Sequence, residues 1–400
     1  MSGLIKWFSS DDAGAPVLLE AWDIMTNILD GCLVTGYNHR DIASIAISSG
    51  VATVTFNTNH DYKQFQCIKI NGSNYSTLNS EFKILGITAN TVEFEIELPD
   101  LTETGTLSAS LAPLGWSKPF SDVGKGVYRA KNIAENPYYL RVDGTKDPIY
   151  PATYARFAKV GILESCDGID DISSTQAPYN PSAPDRNWVG QGAYGGWAKW
   201  KYAIGDGAIS DAVAPAAGIR QWFLVGDDST FYLVIKASNN ANFEIPYGYG
   251  AVQTNGIPKP FLISEMSYNA WNNAISAITP LTSPNLQWVA GLYDYTHTLI
   301  NTTSFKLISG FGNVASGATA NTTKADPNTG YYLTPYYLID PNNYILGVLP
   351  LVSCCINNAT GEPSGATYRG DGESYIIKRF RTTTNSTATA GALFFEIYRE

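Results

Sequence analysis

Between residues 41 and 113 the chain alternates apolar and polar residues with a period of two, and no stretch there repeats at the three- and four-residue spacing of a helix. Val51-Ala52-Thr53-Val54-Thr55-Phe56, Phe65-Gln66-Cys67-Ile68-Lys69-Ile70, Phe82-Lys83-Ile84-Leu85 and Val92-Glu93-Phe94-Glu95-Ile96-Glu97-Leu98 carry the pattern, and Asn71-Gly72 and Ala89-Asn90 punctuate it. A strand of this kind buries one face and wets the other. About six such strands, evenly spaced and close together in sequence, predict a small antiparallel sandwich of immunoglobulin-like type.

The flanking residues read differently. Pro16 to Leu33 predicts a helix: a proline stands in the first turn, Val17, Ala21, Ile24, Ile28 and Cys32 recur at helical spacing, and Gly36 is the stop. Strand patterns return at Val127-Tyr128-Arg129, Tyr138 to Val142 and Phe157 to Val160, followed by a polar, proline-rich loop from Ser173 to Asn187. Gln221 to Val225 and Phe231 to Ile235 then form a strand pair joined by Gly226-Asp227-Asp228-Ser229-Thr230, a hairpin loop. Ser264 to Ile278 carries a second short helical pattern, and Tyr375-Ile376-Ile377 and Leu393 to Tyr398 are strands amid Gly-, Asn- and Thr-rich connections such as Ser316 to Thr329. The chain is thus expected to be mainly β. Residues 1–40 and 114–240 make an antiparallel, sandwich-type host domain with one N-terminal helix, 41–113 an inserted module, and 241–400 a β-rich C-terminal region. Insertion of this kind is tolerated where an exposed loop opens without disturbing buried backbone.

Composition narrows the function classes. Apolar residues make up 44% of the chain, enough to build real cores, while charged residues are only 16% and Tyr 25, Phe 16 and Trp 9 are abundant, a balance suited to half-buried strands and broad interfaces. A net charge of −10 repels a phosphate backbone, and with no run of Lys or Arg as exception no nucleic-acid partner is expected. No apolar run is long enough to cross a bilayer as a helix and no signal-peptide pattern opens the chain, so a soluble protein made in the cytoplasm is expected, without membrane insertion. Asn301-Thr302-Thr303 and Asn321-Thr322-Thr323 then have no consequence as glycosylation acceptors. Cys32, Cys67, Cys166, Cys354 and Cys355 lack metal or disulfide spacing and read as buried free thiols.

Candidate chemistry is sparse. His39, His60 and His297 stand in no triad or ligand spacing, and His60 is expected to serve a turn or an inter-strand hydrogen bond. Asp167, Asp170 and Asp171 lack the alternating spacing of a calcium loop and read as a solvated turn, and Asp227-Asp228 belongs to the hairpin loop. No metal, cofactor or catalytic residue is expected. Trp188, Tyr194, Trp197 and Trp200, separated by glycines, are the candidate binding residues: flat rings serve glycan platforms and protein interfaces, and equally the packing of a host sheet.

One set of host segments carries a family resemblance: Trp7 with Ser9-Ser10, Ala15 to Leu18, Leu29 to Tyr37, Gly115-Trp116-Ser117-Lys118-Pro119-Phe120, Val127-Tyr128-Arg129, Tyr139 to Asp143, and Trp222 to Asp227. Together they resemble a family of tailed-bacteriophage virion structural proteins, over the chain from its start to about residue 235. In that family the Gly-Trp-x-Lys-Pro-Phe segment follows the Gly-Tyr segment after a short gap, so residues 41–113 look like an extra module, similar to the Ig-like domains of phage tail and fibre proteins. The resemblance implies a particle component, and the sparse candidate chemistry adds the expectation that it is non-enzymatic. On it we expect a tail, baseplate or fibre-attachment protein that assembles in multiple copies with itself and other virion proteins and, through the module, meets a neighbouring subunit or the host cell surface. Its alternatives are a capsid decoration or head-fibre protein and a receptor- or glycan-binding tail protein.

Overall fold

The computed structural model describes residues 3–148, 150–173, 176–177, 185, 187–188, 198–205, 213–238, 244–254, 257–266, 306–309, 333–339, 345–355, 364–369, 372–381 and 389–400. The fold is mainly β, antiparallel throughout the described pairings, with one short α-helix among the described residues.

The central sheet runs in the order Lys6–Ser9, Trp222–Gly226, Phe231–Ile235, Ile245–Thr254, Ile257–Ile263. Its middle is the expected hairpin, in which Trp222 pairs with Ile235 and Gly226 with Phe231. Two further strands carry it past residue 240. A flanking sheet is ordered Ser117–Asp122, Lys125–Arg129, Tyr139–Asp143, Arg156–Leu163, Ala198–Ala203, Glu265–Met266, with Gln176–Ala177 paired to Arg156–Leu163. These two sheets stack through Leu224, Phe231, Tyr247 and Tyr249 on one side and Ala158, Val160, Trp200 and Tyr202 on the other. The opposite face of the central sheet, with Phe223, Val225, Tyr232 and Val234, is covered by a C-terminal sheet through Val352, Ile376 and Phe395. That sheet is ordered Lys306–Ser309, Leu333–Ile339, Ile345–Cys355, Thr389–Arg399, Glu373–Arg381, Thr367–Arg369.

Residues 37–111 form a sheet of their own: Glu81–Lys83, Cys67–Asn71, Leu107–Leu111, Tyr37–Ser48, Val51–Phe56, Thr91–Glu95, Gly86–Ile87, with Leu101–Glu103 on Tyr37–Ser48. All eight strands belong to one hydrogen-bonded sheet, which curls until its edges meet. The run 81–88 belongs to both edges: Lys83 pairs with Cys67, while Gly86 pairs with Glu93 and Ile87 with Val92. Phe82 and Phe94 stack across the interior at 4.0 Å. Closure of this kind removes the unpaired backbone that an open edge would present.

The first helix differs from expectation. Only Met25–Leu29 is α-helical, continued by a π-helical turn over Asp30–Thr35, and Gly36 at φ 72° ends it as the sequence indicates. Residues 16–22 are not helical because their backbone is used elsewhere: Leu18 bridges Arg220, and Trp222 Nε1 donates to Pro16 O at 3.0 Å. Asp23, at φ 65°, donates its N–H to Gly144 O, and the Trp22 ring packs edge-on against Phe157. Tertiary pairing thus overrides a helical pattern over the first half of the segment. The expected helix over 264–278 begins as the strand Glu265–Met266, paired with Ala198 and Lys199. The rest of it, most of the loop 173–187 and the connection 316–329 lie outside the described residues.

The segments on either side of the curled sheet meet where it departs and returns. Tyr37 pairs with Leu111, Leu114 N donates to Cys32 O, and the N–H groups of Gly115 and Trp116 both donate to Leu33 O at 2.9 Å. Trp116 Nε1 donates to Asp227 O at 3.0 Å, and Trp7 and Phe8 pair with Val225 and Leu224.

Candidate functional site

The tryptophans singled out in the sequence are placed in packing positions. Trp200 is fully buried between central and flanking sheets, stacked on Tyr247, its Nε1 donating to Ile263 O at 3.0 Å. Trp188 is buried on the other face of the flanking sheet, above Gly161, where its Nε1 donates to Gln176 Oε1 and the Arg141 guanidinium lies 4.3 Å from its ring centre. The two rings therefore share no platform. Tyr194 and Trp197 lie outside the described residues.

The other candidates act in the structure of turns. Asp227 Oδ1 accepts from Ser229 N, Ser229 Oγ and Thr230 N, which fixes the hairpin loop, and burial pushes its carboxyl above the usual range. Asp170 is ion-paired with Lys125 and Arg141, and Asp171 accepts from Ser173 and Asp167 N, so both carboxyls are held below their ordinary values, first by these hydrogen bonds. His60 is buried; its Nε2 donates to Thr88 O and Thr91 O, and its Nδ1 accepts Tyr62 N–H. His39 is exposed and His297 lies outside the described residues. Cys32, Cys67 and Cys166 are buried and free. Among the described residues no group of His, Cys, Asp or Glu is arranged to hold a metal ion.

The concave site is elsewhere. A cleft of about 1150 Å³ opens where the N-terminal strand, residues 63–65 of the curled sheet, the central hairpin and the C-terminal sheet converge. Lys63, Lys236, Arg369 and Lys378 line it, against two carboxylates, Asp11 and Glu244, in a chain of net charge −10. Three of these cations lie over buried rings that also line the cleft: Lys63 Nζ is 5.7 Å from the centre of Trp7, Arg369 Cζ 5.3 Å from Phe65, and Lys378 Nζ 4.9 Å from Phe223. A ring's quadrupole attracts the cation above it and holds it over the floor. Lys63 is also ion-paired with Asp12 at 2.7 Å and Lys378 with Glu244 at 3.2 Å, while Arg369 donates to the neutral Gln64 Oε1 at 2.9 Å. Among the described residues Lys236 and Arg369 make no ion pair.

Phe65 is the pivot of this floor. Its backbone is left-handed, φ 65°, a conformation that a bulky residue adopts only when its surroundings enforce it. The enforcement is visible. Phe65 N donates to Ile84 O, its ring stacks on Tyr398 at 4.7 Å, and its carbonyl accepts from Lys83 Nζ at 3.2 Å. Lys83 also donates to Ile5 O and Ile397 O, tying three distant segments beneath the cleft, and burial pulls its ammonium below the ordinary lysine range. No sequence motif points to this site, because its cations and rings come from segments separated by tens to hundreds of residues.

No protein-family model matches the chain, and no curated protein matches it. A solved structure, the endosialidase of phage phi92, is similar over 92% of this chain and 52% of that one, at 12% identity and a TM-score of 0.18. The chain spans about half the length of that enzyme.

Proposed function

We propose that the chain is a structural component of a tailed-bacteriophage particle, belonging to the tail or its baseplate and fibre-attachment region, assembled in several copies and without catalytic activity. The observation that carries this reading is the convergence of the segments on which the resemblance rests. Gly115 and Trp116 bond Leu33, Trp116 bonds Asp227, Trp222 bonds Pro16, and Trp7-Phe8 pairs with Leu224-Val225. Segments scattered over more than two hundred residues of sequence thus meet in space, and the contacts among them are packing and hydrogen bonds to the backbone rather than chemistry. Three buried ionisable groups fit the same reading: Asp227, Lys83 and His60 all serve turns or strand junctions. In this proposal residues 41–113 are the inserted module, projecting from the host, and the charge-poor surface, with exposed apolar side chains such as Val17, Val123, Ile133 and Ile219, meets other subunits.

Imaging of purified phage labelled by an antibody raised against residues 37–111 tests it. Label on the tail or baseplate is expected. Label on the capsid moves the chain to the head-decoration alternative, and absence of the chain from purified particles overturns the proposal. Release of reducing sugar from host surface polysaccharide by the purified chain overturns its non-catalytic part.

A further inference from the structure

We propose that the cleft between the central hairpin, the curled sheet and the C-terminal sheet binds an acidic saccharide, with carboxylates held by Arg369 and Lys236. The inference goes beyond a role in the particle and stands separately from it. Its first support is the sign of the charge. Four cations face two carboxylates in the lining, Glu244 is already engaged by Lys378 and Ser364 Oγ, and Asp12 behind the lining is engaged by Lys63. That leaves Arg369 and Lys236 as the positive charges without an ionic partner among the described residues, in a protein that is acidic as a whole. With Asp11 the one lining carboxylate that no cation engages among the described residues, the cleft keeps a positive excess, and a concave surface with an excess of one sign concentrates ligands of the other.

The second support is preorganisation. Arg369 rests on the Phe65 ring and donates to Gln64, so its guanidinium fork is oriented before a ligand arrives and loses less freedom on binding than a free side chain does. The ring beneath it is fixed at the expense of a left-handed backbone, and Lys83 and Tyr398 hold it there. Strain retained in the floor of a cleft and enforced from three directions marks a position whose geometry matters.

The remaining lining decides the class of ligand. Ser9, Ser10, Gln64, Gln221, Ser364 and Thr367 supply hydroxyl and amide groups around the cations, the complement of a polyhydroxylated chain. An acidic peptide would need apolar anchors, yet the apolar side chains here are closed off. Trp7, Phe65 and Phe223 lie beneath cations, Trp222 is buried with its Nε1 spent on Pro16 O, and Ile376 and Ile397 are buried. The volume exceeds the ~300–1,000 Å³ of a site for one small ligand and suits several sugar units.

Titration calorimetry on the purified full chain tests this, with an octagalacturonate as the acidic saccharide, maltooctaose as its uncharged counterpart and octaglutamate as the acidic peptide. Saturable binding of octagalacturonate is expected, weakening as salt rises from roughly 0.05 to 0.5 M. Maltooctaose is expected to bind about a hundredfold more weakly, as is octagalacturonate to the double variant Lys236→Gln with Arg369→Gln, since two charge-assisted bonds are lost and each is worth roughly a factor of ten. Both positions are at least partly exposed, so the thermal midpoint of the variant should match the parent. No saturable binding of octagalacturonate, equal binding of maltooctaose, tighter binding of octaglutamate, or an unchanged affinity in the double variant each overturns the proposal. Failure here alongside tail labelling leaves the particle role intact.

Discussion

The curled sheet of residues 37–111 and the central sheet are built from the same kind of hairpin, yet they solve opposite problems. Along Val51–Phe56 and Thr91–Glu95 every second residue is buried and the others are partly or fully exposed, so one covered face suffices. Along Trp222–Gly226 and Phe231–Ile235 every residue is buried, because the flanking sheet covers one face and the C-terminal sheet the other. The first sheet closes on its own strands. The second depends on two neighbours, one of which arrives from more than a hundred residues further along the chain. The two sheets differ in how many faces they must hide more than in how their strands pair.

Removing residues 333–400 is the severest way to break the contrast. Phe223, Val225, Tyr232 and Val234 would lose their cover, at roughly 1.5–3 kcal/mol for each large apolar side chain, which together rivals the ~5–15 kcal/mol net stability of a typical domain. The truncated chain is expected to aggregate or to bind an apolar dye strongly during size-exclusion chromatography. A monodisperse truncation with a cooperative melt would show that the central sheet needs only one partner.

The complementary experiment expresses residues 37–111 alone. With its edges joined through the run 81–88 and its interior filled by Ile45, Val54, Ile68, Val92 and Phe94, this segment is expected to melt in a single cooperative transition followed by circular dichroism. Its midpoint should lie below that of the full chain, because Lys83 and Gln66 lose partners in the N-terminal strand region and, for Lys83, at Ile397. A sloping, non-cooperative signal would mean the sheet borrows its stability from the rest of the chain.

The same contrast explains what could be read before the structure. Alternation in Val51–Phe56 and Thr91–Glu95 is a one-sided signal that survives in sequence, and the turn at Asp227 to Thr230 has a chemical signature, so strands and hairpin fall close to expectation. The failure at Pro16–Leu33 is of another kind. Val17 and Ala21 fit a helix, but Val17 is 48% exposed and its neighbour Leu18 is spent on Arg220, an interaction two hundred residues distant that no local pattern encodes. The cleft was equally illegible. Arg369 over Phe65 and Lys378 over Phe223 are pairs made by the arrival of the C-terminal sheet, whereas Trp188 and Trp200, prominent in sequence, turn to opposite faces of one sheet and are absorbed by packing.

Asp12 sharpens the comparison at the seam between the two regions. Its buried carboxylate accepts from Ser9 N at 2.8 Å, Tyr37 OH at 2.9 Å and Gln66 Nε2 at 3.1 Å, and pairs with Lys63. Asp12→Ala leaves these donors unanswered and is expected to cost about 3 kcal/mol in urea denaturation of the full chain, with Asp12→Asn milder because one oxygen remains. The residue is absent from 37–111, so a Lys63→Ala change, which loses its partner only in the full chain, should destabilise that chain and leave the isolated sheet almost unaffected. Equal effects in both would show that Lys63 acts within the curled sheet instead of across the seam.

The smallest effect concerns His60, at the corner where the curled sheet turns. Its ring is held as the neutral Nε2–H tautomer, since Nε2 must donate to the carbonyls of Thr88 and Thr91 while Nδ1 accepts Tyr62 N–H. Desolvation pulls its pKa below the ordinary 6.5, the carbonyl bonds opposing this only in part. A histidine that binds its proton less readily when folded contributes stability that is complete above 6.5 and drains away as the pH falls through that value toward the lower folded one. Protonation at Nδ1 would also set two hydrogens against each other at Tyr62. Between pH 7.5 and 5.5 the sheet is expected to lose about 1 kcal/mol or less through this residue. The measurement is the difference between parent and His60→Gln, whose amide keeps a donor without titrating: the parent's stability should fall relative to the variant's over that window, and because the corner lies wholly within residues 37–111, the same difference should appear in the isolated sheet and in the full chain. Parallel profiles would mean the corner tolerates the charge, and a difference confined to the full chain would place the sensitivity at the seam.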